Sequence, residues 1–188
     1  MDPFPSRTSR VRPTHSSQFA YYFDQLSRIL IATSRLKKVE MENALLYVHI
    51  LCAAIWLGGA AICITFLLST KNLSPTQAKP IIQNVANLGK FVFGPASILV
   101  LISGIGLISV AGWSFSDLWI TLAFTGIIAS IILGTVFHSR AGRKSLAAAE
   151  SDNSQATNTA INSWLIIAYL DLAIIAGVLA LMVFKPGA

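Results

Sequence analysis

Charge is scarce in this chain. Asp, Glu, Lys and Arg make up 12% of its 188 residues, about half the share that a water-facing exterior carries. The few charges also avoid four stretches. Residues 44–68, 91–111, 118–137 and 161–184 hold one such side chain, Asp171, and the other 21 lie elsewhere. This partition excludes a soluble domain, and 54% hydrophobic residues exclude a disordered chain. Cysteine is nearly absent too. Cys52 and Cys63 form no Cys-x-x-Cys pair, and on one helix they stand about 16 Å apart, too far for a disulfide. There is no His-Glu-x-x-His run and no glycine-rich phosphate loop, so the familiar zinc-hydrolase and nucleotide-binding signatures are missing. Nor is there the strand-like alternation of a membrane barrel.

What is present is four apolar runs of the roughly 20 residues that a helix needs to cross about 30 Å of hydrocarbon. Helices are the remaining way to satisfy backbone groups in lipid. The sequence therefore predicts an all-α protein, a four-transmembrane-helix up-down bundle over residues 41–188, with spans near 44–68, 91–111, 118–137 and 161–184. Ser74, Pro75 and Gln77 mark a helix start in the first loop, and Ser114 with Asp117 resembles a capping box before the third span. Ile81, Ile82, Val85 and Leu88 recur at helical spacing, which predicts a short interfacial helix leading into span two. Tyr47, Trp113, Trp119, Trp164 and Phe184 fall at the expected lipid–water levels and read as anchors.

Residues 1–40 form a basic N-terminal extension with seven Lys and Arg against three acids. Residues 2–17 are rich in Pro, Ser and Arg and are expected to be disordered. Phe19, Tyr22, Phe23, Leu26, Ile29 and Leu30 follow the spacing of a helix lying on a membrane surface. Counted from Met41, the first and third loops carry Lys71, Lys79, Lys90, Arg140, Arg143 and Lys144, and the opposite side carries only Lys185. The positive-inside rule then places loops 69–90 and 138–160 in the cytoplasm of a bacterial inner membrane. The extension's basic residues oppose that bias, which favours Met41 as the biological start. Arg140, Arg143 and Lys144 are expected to meet anionic lipid headgroups, and no nucleic acid is needed to explain the basic charge.

Small residues mark where spans touch in lipid. Gly126, Ser130, Gly134 and His138 recur every four residues in span three, and Ser97, Gly104 and Ala111 every seven in span two. A compact bundle follows, with self-association or a membrane-protein partner expected. On span one, His49, Cys52, Trp56, Gly59 and Cys63 share a stripe. An imidazole in the membrane needs a partner, either a nearby hydroxyl or carbonyl, or a metal or haem. His49 and His138 differ in expected depth by roughly 22 Å, too much for one iron, and His138, beside the basic run, reads as a headgroup contact. Met182 reaches the level of His49 and Cys52, so a soft-metal site of His49, Cys52 and Met182 is one expectation. Asp171, level with Trp56 to Cys63, is either hydrogen-bonding glue or a proton relay.

The segments LLYVHILCAAIWLGG (45–59), VFGPASILVLISGIG (92–106) and GWSFSDLWI (112–120), with the closing Lys185-Pro186, resemble a bacterial family of predicted four-helix integral membrane proteins of unknown function. His49, Trp56 and Gly58 are distantly similar to the first helix of the copper-resistance protein D family and of the HemJ-type protoporphyrinogen oxidases. Those resemblances imply His49 as a copper contact or a haem b ligand. The chain lacks the intramembrane lysine of the HemJ group, and it has few methionines and about half the spans of the copper-resistance group. The leading expectation is a small, non-enzymatic membrane component or transport accessory. The rivals are a haem- or copper-handling redox protein using His49 and a proton-coupled carrier using Asp171.

Overall fold

The computed structural model describes residues 15–187, the side chains of residues 15–22 and of residue 72 excepted. The chain divides into two units, Met1–Met41 and Glu42–Ala188. In the first, the expected disordered stretch lies outside the described residues up to residue 14, and the chain is helical from His15. Phe23, Leu26, Ile29 and Leu30 of the expected apolar stripe are exposed, while Phe19 and Tyr22 lie outside the described side chains. Asp24 and Arg28 pair at 2.9 Å one turn apart.

The second unit is an all-α bundle, described here as α1 (His15–Ser69, which begins in the first unit), α2 (Pro75–Leu88), α3 (Gly94–Ala111), α4 (Leu118–Ile132), α5 (Ser139–Glu150) and α6 (Ser154–Phe184). A π-helical segment, Gly89–Phe93, joins α2 to α3, and a second, Leu133–His138, joins α4 to α5. Among the described residues, four helices are thus long and apolar enough to cross a membrane: Phe23–Ser69, Pro75–Ala111, Leu118–Glu150 and Ser154–Phe184. Most of the residues read as loops 69–90 and 138–160 continue these helices instead.

Local chemistry explains the boundaries. Ser74 caps α2 in a full capping box, its hydroxyl accepting from the Gln77 N–H while the Gln77 side chain accepts from the Ser74 N–H. Asp117 is itself the N-cap position of α4, and its carboxylate accepts from the Ser114 N–H at 3.1 Å. Gly112 ends α3 in a left-handed conformation, φ 79°, which glycine adopts without steric cost. The first π segment stands just ahead of Pro95, whose ring has no N–H and crowds the carbonyl four residues back, so the turn opens. There the Gly94 N–H donates to Gly89 O, five residues back. In the second, the Ser139 hydroxyl donates to Gly134 O at 3.4 Å, a side chain inserted into the backbone ladder.

Packing follows from small residues and from the extended helices. A Cβ on Gly126 would stand 2.5 Å from Val178 Cγ2, so glycine lets α4 and α6 approach closely. Around the 70–74 and 151–153 connections, Leu67, Ile82, Val85, Ile161 and Trp164 form one buried cluster with Ala141 and Ala149. The expected interfacial helix is α2, whose Ile82 and Val85 are buried in this cluster with residues of α1, α5 and α6. Cys52, Trp56, Ala96, Val100, Ile127 and Ile175 form a second cluster in mid-bundle. Ile108, Trp119 and Ile120 form a third toward the 112–117 connection.

Candidate functional site

Two buried polar constellations sit in this bundle, each built around a histidine. The first joins α1 to α3. His49 Nδ1 lies 3.0 Å from Val100 O and 3.0 Å from Ser103 Oγ. A carbonyl can only accept, so Nδ1 carries the proton and donates. The Ser103 hydroxyl donates in turn to its own helix's carbonyls at Leu99 and Val100, leaving its oxygen free to accept. Gly104 makes room for the ring, because a Cβ there would meet His49 Cε1 at 3.3 Å.

With Nδ1 committed, Nε2 of the neutral ring keeps a lone pair. His49 lines a cavity of about 690 Å³ whose other walls come from α3, α4 and α6. Met182, Trp113, Trp119 and Lys185 share that lining. The Lys185 ammonium lies 4.9 Å from the Trp113 ring centroid and 5.4 Å from that of Trp119. Cys52 is not part of this wall and packs in the apolar mid-bundle cluster. Of the three residues read as soft-metal donors, the cavity thus gathers His49 and Met182. Among the described residues, no three His, Cys, Asp or Glu side chains gather as a metal-holding group.

The second constellation joins α4, the second π segment and α6. The Ser130 hydroxyl donates to Asp171 Oδ1. The Trp164 indole N–H donates to His138 Nδ1 at 3.0 Å, which fixes the proton of the neutral imidazole on Nε2. Nε2 then stands 3.6 Å from Asp171 Oδ2, beyond hydrogen-bond reach and otherwise without a partner. These side chains line a second cavity of about 510 Å³, together with Trp56, Cys63, Lys90 and Arg143. Asp171 thus shares a cavity lining with Trp56 and Cys63.

His138 is an inward member of a polar chain rather than a headgroup contact, and Trp164, 3% exposed, is its donor rather than an interfacial anchor. Trp119, 8% exposed, is likewise inside, whereas Tyr47, Trp113 and Phe184 are exposed. The cause for His138 is the π turn. In an unbroken α-helix, residues eight apart diverge by about 80°, and the wider turn at 133–138 brings His138 back over the face of Ser130. The four-residue recurrence from Gly126 to His138 was the available signal. Arg140, Arg143 and Lys144 are exposed on α5, and Arg143 also lines the second cavity. His49 and His138 belong to separate hydrogen-bonded groups.

No curated protein and no solved structure matches the chain. Residues 43–186 match the family described as "Predicted integral membrane protein (DUF2269)", and the chain belongs to that family of multi-pass membrane proteins.

Proposed function

We propose that this protein is a small membrane component that holds haem b through His49 in the larger cavity. One observation carries the reading: His49 Nδ1–H is anchored on the Val100 carbonyl while Nε2 is left unprotonated beside an apolar space of about 690 Å³. Ligating histidines show this arrangement, one nitrogen fixing the ring and tautomer while the other binds iron. The residues fit the group. His49 supplies a nitrogen ligand, Met182 lies in the same lining as a thioether, the apolar walls suit a porphyrin face, and Lys185 is a cation for its carboxylates. Bound haem would supply one-electron chemistry; the chain's part is to hold it and exclude water. The distant similarity of His49, Trp56 and Gly58 to HemJ-type first helices supports the same residue. A copper-handling role is served less well, since Cys52 is not in the lining that His49 and Met182 share.

The setting belongs to the same reading. The protein resides in a bacterial inner membrane, with the basic regions 69–90 and 138–160 on the cytoplasmic side, where Arg140, Arg143 and Lys144 meet anionic headgroups. Purified protein supplied with haem b should show a Soret band that His49→Ala abolishes. A wild-type protein with no Soret band would overturn the proposal, and stoichiometric copper in its place would transfer His49 to metal handling.

A further inference from the structure

The second constellation has no part in that reading, and its chemistry differs. It places one carboxyl and one imidazole, both capable of carrying a proton, 3.6 Å apart on the wall of a cavity. Each is held by a partner that leaves the facing atoms free: Ser130 occupies Asp171 Oδ1, and Trp164 occupies His138 Nδ1. What remains is Oδ2 opposite Nε2–H, with Nε2 buried and unpartnered. A purely structural network would close that gap, since an unmade hydrogen bond of a buried group costs about 1–3 kcal/mol. An open donor facing an open acceptor is instead a pair set to receive a proton.

We infer that Asp171 and His138 form a proton-binding site loaded from the smaller cavity. An excess proton carried by cavity water as hydronium bonds to His138 Nδ1 as the Trp164 N–H lets go, leaving water, while the Nε2–H bond breaks and the released proton bonds to Asp171 Oδ2. The imidazole ends neutral with its proton on Nδ1, and the carboxyl ends neutral. Ser130 and Trp164 are positioning residues, because they decide which oxygen and which nitrogen are available. The remaining ionisable groups in the lining are Cys63 from α1, Lys90 from the first π segment and Arg143 from α5. Among those lining groups, Asp171 is the only carboxylate. The cavity thus contains the element that a proton-coupled carrier requires: one exchangeable acid in a span, reached through a space that also has room for a solute.

Infrared difference titration of the full chain in lipid vesicles tests this without haem and without a known solute. Acidification should produce the C=O stretch of a protonated carboxyl, and Asp171→Asn should remove it. In Trp164→Phe, which leaves Nδ1 without its donor, the midpoint of that band should move by about one pH unit, a tenfold change in proton concentration. His138→Gln should move the midpoint and also remove the imidazole bands that titrate with it. Helical circular dichroism shows that each variant is folded. A carboxyl band that persists in Asp171→Asn overturns the site. A midpoint that stays put in both folded His138→Gln and folded Trp164→Phe overturns the pair, leaving Asp171 as glue for Ser130. Should Asp171→Asn fail to fold, the midpoints of the other two variants decide alone.

Discussion

His49 and His138 are the same residue in the same bundle, one buried and the other half-buried against another helix, and they are prepared for different work. The difference lies in what each imidazole leaves unused. His49 donates from Nδ1 to a backbone carbonyl, which cannot give a proton back, so the ring is locked in one tautomer. His138 accepts at Nδ1 from an indole and aims its remaining proton at a carboxylate. A locked ring offers a lone pair, whereas a ring between a donor and an acid can exchange protons. The surroundings agree: α1, α3, α4 and α6 enclose a mostly apolar space beside His49, while the space beside His138 includes Lys90, Arg143 and Asp171.

The largest expected effect separates the two histidines outright. His138→Ala should leave the Soret band intact while His49→Ala abolishes it, read from absorption spectra of haem-supplied protein; equal loss in both would collapse the distinction. A smaller effect concerns the anchor. Ser103→Ala removes one of two acceptors at His49 Nδ1, and haem affinity should fall by about 10- to 100-fold, with the infrared midpoint at Asp171 unchanged. The smallest is a control on both sites. Ser74→Ala breaks the capping box of α2 and should cost about 1 kcal/mol of stability, measured by unfolding in detergent, with neither the spectrum nor the proton titration altered.

The architecture was legible because it rests on length and charge. Four uncharged runs are long enough to span, and Ser74 and Gln77 mark the α2 start. The partners within the sites were less so. Sequence spacing assumes a uniform 100° per residue, and the π turn at 133–138 breaks that assumption just before His138. The residues of α5 read as loop because Arg140, Arg143, Lys144 and Glu150 crowd them, and those of α2 as a short interfacial helix, yet Lys79 and Glu150 pair at 3.2 Å while Ile82, Val85, Ala141 and Ala149 pack within. Trp164 carries the same lesson: an amphipathic ring suits an interface, but an indole N–H is equally served by a buried acceptor, and nothing in the spacing reveals that His138 supplies one. His49 was found from its place in an uncharged run, while its anchoring carbonyl belongs to a backbone that sequence does not display.

The π segment before α5 also means that the chain carries one surplus amino acid there, accommodated without a loop. Deleting a single position between 133 and 138 would let a regular α-helix close there, and seven residues at 100° each would still set the imidazole within about 20° of the Ser130 face. Ala141, Gly142, Ser145 and Ala149 now form the buried side of α5, and all four would keep facing α2 and α6. Removing one residue from the regular turns of α4 would instead rotate that whole face away by about 100°.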